Sequence, residues 1–443
     1  MRSTRFILGA LLALGPSAAL AQEAPSGLAG LLLRFFSPSN PVVLKDNPVP
    51  AFSHAAHFVS QPSAQSTLTQ LNRGIAAQIA TFPVGSSSAG FTYTFDATLG
   101  VYNRTTESFE PLFAERPQTA GRGKFSVGLN FQNATYDRFE GRDLRDGDLR
   151  LFLVHQDTNL DATSLNPWFE GDIIGAGLSI DLESRTTVLF ANYGVTERFD
   201  IGLAVPFLDV SLDARITTGI ERLSTGADPF VVHIFPDDTS QRVFRESGSA
   251  SGIGDVLFRA KHRLLSRPSF SLTGALDLRL PTGGENDLLG SGATQAKAYL
   301  VAGGSAGRFS PRANFGYTFS SGGSDFAGDL PDELNYTAGF DTVLHRRVTL
   351  IADLVGRTLL DTERLVENPR AFRYTLRTDP TIREATRPEL TTRPGDLTLL
   401  LGSVGLKINP AGRLLLVGNV LFSIGEGGLQ DRVTPVFGLD YTF

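Results

Sequence analysis

Two short runs in the sequence carry residues of the types that bind metal ions. In "HAAH" (54–57) the two histidines are three positions apart, but no third ligand lies nearby. "DTNLD" (157–161) resembles the start of a calcium-binding loop, yet Ala162 stands where that loop needs glycine and Trp168 where it needs its final glutamate. The sequence therefore predicts no metal site and no cofactor.

Two histidines are the best candidates for catalysis. His155 lies near Asp157, and His233 lies near Asp237 and Asp238, a combination of residue types that hydrolases use. Neither group has a nucleophile at a spacing that would complete a triad. We therefore predict no catalytic residues and no enzymatic activity, and an enzyme ranks third among the functional hypotheses.

A larger set of charged residues lies in the middle of alternating segments. Arg259 and Lys261, for example, alternate with Phe258 and Ala260, so a strand would carry the charges on one face and the apolar groups on the other. In a membrane-spanning barrel the polar face is the lumen, where charges of both signs can tie down a plug or line a polar path. The alternative is a structural ladder of salt bridges without solute contact. The predicted lumen-facing residues are Asp255, Arg259, Lys261, Arg263, Asp277, Arg279, Asp341, Asp353, Arg357, Lys407 and Asp440.

The segments that position these charges begin near residue 123. Each has an apolar side chain at every second position, as in "KFSVGLNFQ", and turn residues separate one segment from the next. Twelve strands are predicted, with fourteen as the alternative. The predicted ranges are 123–140, 174–194, 198–215, 250–265, 269–281, 295–304, 309–320, 333–344, 347–359, 396–408, 412–424 and 433–443.

The connections between these strands alternate strictly between short and long. Hairpin order then places all short turns at one end of a barrel and all long loops, including 360–395, at the other. Outer-membrane barrels have this asymmetry and an even number of strands, whereas a soluble barrel or sandwich has no reason to show it. We predict an all-β fold, a transmembrane antiparallel up-and-down β-barrel, in the outer membrane of a Gram-negative bacterium, in contact with outer-membrane lipid.

The alternation of faces changes at two places. In "FDIGLAVPFLDVSLDAR" the apolar positions are odd-numbered up to Phe207 and even-numbered from Leu208. A β-bulge at Pro206 would explain both the proline and this change. A similar change near Ser184–Thr186 predicts either one bent strand or two short ones.

The last ten residues, "TPVFGLDYTF", alternate in the same way. Phe437, Leu439, Tyr441 and Phe443 form an apolar face that we expect to meet lipid. We predict that this segment closes the barrel against 123–140, and that its terminal phenylalanine face is the signal for the barrel-assembly machinery.

Composition supports an exported β-rich protein. The 443 residues include 46 Gly and 32 Phe but no Cys, which excludes a disulfide scaffold and thiolate metal sites. The formal net charge of −6 and the lack of a long basic block argue against nucleic acid as a partner. Arg2 and Arg5, the apolar run "FILGALLAL" and "ALA" before Gln22 predict a signal peptide over residues 1–21.

The segment 22–122 differs from the barrel, which is predicted to span 123–443. "SAQSTLTQLNRGIAAQIATF" predicts an amphipathic helix, and "AGFTYTFD" with "LGVYNRTTESF" predicts a hairpin. A twelve-stranded barrel encloses a lumen that needs filling or gating, so the segment is expected to be a plug. A periplasmic subdomain is the alternative, and both mature termini are expected to be periplasmic.

Four stretches resemble a known family. These are "ANYGVTERFDIGLAVP" (191–206), "GSASGIGDVLFRAKHRLL" (248–265), "LDLRLPTGGENDLLGSGA" (276–293) and "SPRANFGYTF" (310–319). They are similar to outer-membrane proteins associated with the phenol meta-cleavage degradation pathway, and the resemblance covers about 123–443. It implies a barrel transporter. "LFAERPQTAGRGKFSVG" also resembles the long-chain fatty acid outer-membrane transporters, whose N-terminus plugs the barrel.

These patterns lead to two main functional hypotheses. The first is a channel for passive uptake of small solutes, including hydrophobic or aromatic ones. The second is a structural or surface-interaction barrel without transport, for which loop 360–395 would be the working part. The content of the lumen separates them, because a continuous path favours transport and a fully packed lumen favours the alternative.

Overall fold

The computed structural model describes most of the chain outside its N-terminal part. The signal-peptide prediction, the "HAAH" run and the "DTNLD" run lie outside the described residues. The described residues are 27–35, 42–46, 58–60, 62–81, 93–96, 101–104, 113–155, 168–226, 231–324 and 328–443.

The described elements are mostly antiparallel strands. The helices are α1 (Leu31–Arg34) and α2 (Pro62–Ala80), with 3₁₀ turns at Trp168–Gly171 and Glu285–Asp287. The first eleven strands are β1 (Phe58–Ser60), β2 (Tyr93–Asp96), β3 (Val101–Arg104), β4 (Phe125–Tyr136), β5 (Arg138–Phe139), β6 (Arg142–Asp143), β7 (Leu149–His155), β8 (Ile173–Gly194), β9 (Phe199–Glu221), β10 (Gln241–Ile253) and β11 (Val256–Arg267). The others are β12 (Phe270–Leu280), β13 (Thr294–Gly304), β14 (Phe309–Ser321), β15 (Gly323–Ser324), β16 (Gly328–Asp329), β17 (Glu333–His345), β18 (Val348–Leu376), β19 (Asp379–Ile408), β20 (Leu414–Ser423), β21 (Leu429–Gln430) and β22 (Thr434–Thr442).

Twelve of these strands close into an antiparallel barrel. The order around the barrel is β4, β8, β9, β11, β12, β13, β14, β17, β18, β19, β20 and β22. β22 returns to β4, with Leu439 opposite Leu129, so the predicted closure is confirmed. The segment 173–194 is a single strand, and the number of strands is therefore twelve rather than fourteen.

The outer face of the barrel is apolar on every strand. Each of the twelve strands exposes at least one large apolar side chain, for example Leu129, Leu189, Ile201, Phe258, Leu276, Leu300, Phe315, Leu344, Leu354, Val404, Leu416 and Phe437. A water-soluble protein does not tolerate a continuous apolar belt of this kind. In lipid the same belt is favourable, and closure of the barrel pairs the backbone groups that lipid cannot satisfy.

Some strands continue beyond the apolar belt at the end that carries the long connections, here called the long-loop end. β10 pairs with β9 and is separated from β11 by Gly254 and Asp255. The connection 216–249, which the sequence pattern predicts as a loop, is therefore partly strand. Loop 360–395 is also corrected, because β18 and β19 pair from Val348 opposite Ile408 to Leu376 opposite Asp379.

The change of faces in β9 is not caused by a bulge. β8 and β9 pair continuously from Gly194 opposite Asp200 to Ile173 opposite Glu221. The alternation of buried and exposed positions runs through Pro206 without interruption, with Phe207 exposed and Leu208 buried. The predicted bulge at Pro206 is therefore wrong, and of the two alternatives predicted around Ser184–Thr186 the single strand is the one observed.

The apolar residues of β9 change face because the surroundings of the barrel change along the strand. In the part of β9 that precedes Phe207 the outer face of the sheet contacts lipid, so the apolar side chains point outward. In the part of β9 that follows Phe207 the outer face is polar, as at Asp209 and Asp213. Val210 and Leu212 of the same part point inward into an apolar core. Hydrophobic burial has reversed direction within one regular strand because the surrounding solvent has changed.

This core joins the N-terminal segment to the long-loop end. Leu68, Leu71, Ile75 and Ile79 of α2 are buried there, as the predicted amphipathic helix requires. They belong to one cluster with Leu31 and Leu32 of α1 and with the inner faces of β8 and β9. Among the described residues, the helices are all too short or too polar to cross a membrane.

Candidate solute pathway through the barrel

A cavity of about 120 Å³ lies inside the barrel, between the end of α2 and the residues that lead into β4. We call it the inner cavity. Its wall is mostly polar and comes from β11, β12, β13, β14, β17 and β18. The lining residues are Thr81, Phe113, Glu115, Leu257, Arg259, Asp277, Arg279, Gln295, Lys297, Tyr299, Asn314, Thr318, Glu333, Asn335, Thr337, Val355, Gly356 and Arg357.

A group of ion pairs occupies one side of the inner cavity. Arg259 donates to both carboxylate oxygens of Asp277, at 2.7 and 2.6 Å, and to Glu115 at 2.7 Å. Lys261 donates to the other oxygen of Glu115 at 3.0 Å, and the hydroxyl of Tyr299 donates to Asp277 at 3.2 Å. Cross-strand pairing places Arg259 opposite Asp277 on β11 and β12, so the strand register builds most of this group.

Two arginines of the barrel wall bind the C-terminal end of α2. Arg279 on β12 donates to the carbonyl of Ala80. Arg357 on β18 donates to the carbonyl of Thr81 at 3.1 Å and to its hydroxyl at 2.6 Å, and lies 3.5 Å from Glu333. The last carbonyls of a helix have no partner within it and carry partial negative charge, so cations stabilise that end. These contacts hold α2 at the entrance to the inner cavity.

Residues 113–122, here called the strap, cross the lumen on the other side of the cavity. The N–H of Phe113 donates to Asp353 at 3.2 Å, and Thr273 donates to the carbonyl of Pro117. Nearer the end of the barrel with short turns, Thr119 donates to the carbonyl of Glu197 at 2.7 Å and the N–H of Ala120 donates to Asp200 at 2.8 Å. The strap is therefore attached to several strands around the barrel.

A second cavity of about 440 Å³ lies at the long-loop end, between α2 and the connections of β14, β17, β18 and β19. We call it the outer cavity. The side of α2 opposite its apolar face lines it. The lining residues are Gln70, Arg73, Gly74, Ala77, Gln78, Phe139, Glu140, Tyr317, Asp329, Leu330, Pro331, Asp332, Leu359, Leu360, Asp361, Thr362, Glu363, Leu365 and Leu397.

Glu140 ties the outer cavity to the β18–β19 hairpin. Its carboxylate accepts from Arg364 and from the N–H of Leu365, both at 3.3 Å. Burial raises the pKa of the Glu140 carboxyl, and these two partners act in the opposite direction. Gly74 leaves room for the ring of Phe139, which a Cβ at that position would meet at 2.8 Å. The helix therefore approaches this wall closely.

The two cavities follow one another along the same elements. Gln78 lines the outer cavity and Thr81 lines the inner one, three residues further along α2. On the wall, consecutive residues Asp332 and Glu333 line the outer and inner cavity in turn. A smaller cavity of about 50 Å³ touches both Gln78 and Arg357. The outer cavity, the inner cavity and the strap thus follow one another along the barrel beside α2.

The predicted lumen residues fall into three groups. Arg259, Asp277, Arg279 and Arg357 line the inner cavity, and Lys261 lies against Glu115. All of these side chains point into the barrel.

The second group lies inside the barrel nearer its short-turn end. Asp341 pairs with Arg312, and Lys407 lies 4.0 Å from Asp440. Asp353 holds the strap through Phe113. These residues form buried ion pairs and strap contacts and do not line either cavity.

The third group binds loops. Asp255 accepts from the N–H of Gly283 at 3.1 Å and from the N–H and hydroxyl of Ser291 at 2.8 and 2.6 Å. Arg263 donates to the carbonyl of Glu197 at 2.7 Å. Direct contact of any of these charges with a solute stays a prediction.

Sequence reasoning missed several residues of the path. Lys297, Tyr299 and Glu333 lie in predicted strands, and their parity with lumen-facing neighbours was the signal that could have found them. Glu115 lies in a segment without periodicity, so only its spatial position shows that it meets Arg259 and Lys261.

The histidine candidates lie apart from this path. His233 is buried and its Nδ1 lies 2.9 Å from Asp172, which also accepts from the N–H groups of Ser224 and Thr225. The rings of Phe58 and His155 pack around His233 at centroid distances of 5.0 and 5.3 Å. These contacts join β1 and β7 to the segment that precedes β10.

The resemblance inferred from the four sequence stretches is confirmed. A family model described as putative MetA-pathway of phenol degradation matches residues 171–354. No curated protein sequence matches the chain.

Solved structures give distant matches. An outer-membrane channel from Pseudomonas putida F1 is similar with a TM-score of 0.43 and 13% identity, over 74% of this chain and 97% of that one. A Pseudomonas aeruginosa FadL homologue matches with a TM-score of 0.29 and 13% identity, over 73% and 90%. The Ralstonia pickettii toluene transporter matches with a TM-score of 0.25 and 12% identity, over 73% and 90%.

Proposed function

We propose that the protein is an outer-membrane channel through which small solutes, including hydrophobic or aromatic ones, are taken up passively. The observation that carries this proposal is that the outer and inner cavities follow one another beside α2 inside the barrel. The alternative, a structural or surface-interaction barrel, requires a packed lumen, and these cavities argue against it. The family description concerns phenol degradation, which is consistent with aromatic solutes.

The proposed orientation follows from the asymmetry of the connections. Outer-membrane barrels have short periplasmic turns and long outer loops. The outer cavity then opens towards the cell exterior, and the strap and Phe443 lie at the periplasmic side. The C-terminus is periplasmic in this arrangement, and Phe437, Leu439, Tyr441 and Phe443 present the terminal face to the assembly machinery. Ala29, which follows the predicted signal peptide closely, donates its N–H to Asn286 at the long-loop end, so the described start of the N-terminal segment lies on the exterior side.

The proposed division is a signal peptide at 1–21, a plug at 22–122 and a barrel at 123–443. The described parts of the segment 22–122 play different roles. α1 and α2 complete an apolar core at the long-loop end, where Leu71 and Ile75 are fully buried. The strap contacts the barrel mainly through hydrogen bonds and ion pairs. Polar contacts can be exchanged for water at lower cost than an apolar core can be opened, so we infer that the strap is the gate and α2 is a fixed wall of the path.

The experiment that tests this function is conductance in planar bilayers together with liposome swelling. Deletion of all of 22–122 would remove the partner of the inner faces of β8 and β9 and would confound the result. A variant that loosens the strap alone, Glu115→Gln, is therefore the informative comparison. The proposal predicts low conductance for the native chain and higher conductance for the variant. If neither protein passes any solute, the channel function is wrong.

A further inference from the structure

The outer cavity is acidic. Asp329, Asp332, Asp361 and Glu363 line it together with Glu140, which is paired with Arg364, whereas the only cation among its described lining residues is Arg73. Asp332 accepts from Tyr317 and Ser320 at 2.8 Å, so its hydrogen-bond partners are uncharged groups. The outer cavity therefore carries a net negative charge.

The inner cavity has the opposite balance. Four cationic side chains and three carboxylates line it, and Lys261 adds a further cation next to Glu115. Arg259 is balanced by Asp277 and Glu115. Arg279 and Lys297 differ, because neither has a carboxylate at ion-pair distance among the described residues. Arg279 binds a backbone carbonyl, and the amine of Lys297 lies 4.7 Å from the ring centre of Tyr299. The inner cavity therefore carries net positive charge.

These two charges lie in series along one path. A solute that enters from the long-loop end meets the acidic cavity first and the basic cavity second, with Gln78 and Thr81 of α2 marking the passage between them. Both cavities are clefts lined by charged side chains and low-dielectric protein, which focuses the field of their walls. At a physiological Debye length of about 8 Å, salt does not remove the field inside such cavities.

We propose that the two cavities act as a bipolar charge filter that holds back ions of both signs and favours uncharged solutes. The acidic cavity repels anions from the exterior, and the basic cavity repels cations that have entered the acidic one. Uncharged solutes meet neither barrier. This inference rests on the proposed channel function and specifies the class of solute that the channel takes.

The same arrangement predicts that the ion current depends on the direction of the voltage. When the exterior side is positive, cations enter through the acidic cavity and anions enter through the basic one, so both accumulate in the path. When the voltage is reversed, ions of both signs are drawn out and the path is depleted. The current is therefore expected to be larger with the exterior side positive.

The first test is the current–voltage curve of the full chain in a planar bilayer, in the native form and in the Glu115→Gln form. Proteolysis of the β18–β19 hairpin from one side reports the orientation. The ratio of currents at opposite voltages is expected to be about two or more in 0.1 M KCl. It should fall towards one in 1 M KCl, where the Debye length is about 3 Å.

Single charge changes identify the residues responsible. Lys297→Gln lowers the net positive charge of the inner cavity and is expected to reduce the asymmetry and shift the selectivity of the path towards cations. Paired substitution of Asp361→Asn and Glu363→Gln lowers the net negative charge of the outer cavity and should reduce the asymmetry and shift the selectivity of the path towards anions. Arg393→Gln is the matched control, because Arg393 is exposed on the β18–β19 hairpin and lines neither cavity.

The second test is the flux of three sugars of similar size into proteoliposomes at pH 6. The filter predicts that uncharged glucose enters several-fold faster than anionic gluconate or cationic glucosamine. Symmetric currents together with equal rates for the three sugars would overturn the filter but leave the channel function intact. Absence of current and of sugar flux in both forms would overturn the channel function and the filter together.

Discussion

Glu115 is the residue whose replacement most directly tests the gate. Its side chain and that of Lys261 are each only 3% exposed, and their charged atoms are 3.0 Å apart. Glu115→Gln removes the charge but keeps an oxygen that can accept one hydrogen bond. Breaking a buried ion pair costs about 3–5 kcal/mol, and one retained neutral hydrogen bond returns about 1 kcal/mol. The docked strap should therefore lose about 2–4 kcal/mol, which corresponds to a shift of about 30- to 700-fold towards the undocked form.

The chain offers a clean way to measure this shift. It contains no cysteine, so a single Ala120→Cys substitution gives one thiol on the strap. Ala120 is buried, and its N–H would still be able to donate to Asp200. The rate of labelling by a water-soluble maleimide should rise with the undocked fraction, and channel open time should rise in parallel.

Two comparisons separate the gate from general damage. Glu197→Gln removes the same charge at the nearby turn but keeps the backbone carbonyl that Thr119 binds, so it should change neither readout. Combining Glu115→Gln with Lys261→Gln removes the unbalanced cation and should restore part of the docking. A labelling rate and open time that change less than about threefold in Glu115→Gln would refute the view that this ion pair holds the strap.

The remaining predictions concern stability, pH and assembly. Leu71→Ala should lower the stability of the long-loop end by about 2–5 kcal/mol, seen as faster proteolysis of the N-terminal segment. Leu276→Arg should cost about 2–4 kcal/mol in urea unfolding because it faces lipid, whereas Thr217→Arg, beyond the apolar belt, should change stability by less than about 0.5 kcal/mol. Hydrogen bonds from the hairpin tip lower the pKa of Asp379 from 3.8 to about 2, so their contribution to order at the tip is present above pH 3.8 and lost as the pH falls towards 2. NMR of the tip should show this loss in the native chain and not in Asp379→Asn. Deletion of Phe443 should reduce the heat-modifiable, inserted fraction in cells.

Each of these has an outcome that contradicts it. Equal protease resistance of Leu71→Ala and of Arg73→Ala, whose side chain lines a cavity, would contradict the core assignment. Equal effects of arginine at 276 and 217 would contradict the position of the apolar belt. Unchanged insertion without Phe443 would contradict its role as an assembly signal.

The sequence by itself determined the barrel, the number of strands to within one pair, and the face on which most charges lie. It could do so because membrane strands follow a period of two that each segment carries independently of its neighbours. The inward direction of Asp277 and Arg357 follows from that local rule. The closure of β22 on β4 follows from the requirement that a sheet in lipid has no open edge.

Only the tertiary structure decided why the apolar residues of β9 change from one face of the strand to the other. The sequence around Pro206 shows a change of apolar positions that a bulge explains equally well, because periodicity does not record which solvent faces each side. Loop 360–395 lacks clear alternation, since much of its surface is exposed, although its two halves pair with each other as the continuation of the β18–β19 hairpin. The meeting of Glu115 with Lys261 depends on how a segment without periodicity crosses the lumen. The apolar core behind β9 and the Glu115–Lys261 contact arise between parts of the chain far apart in sequence, so no local pattern could specify them.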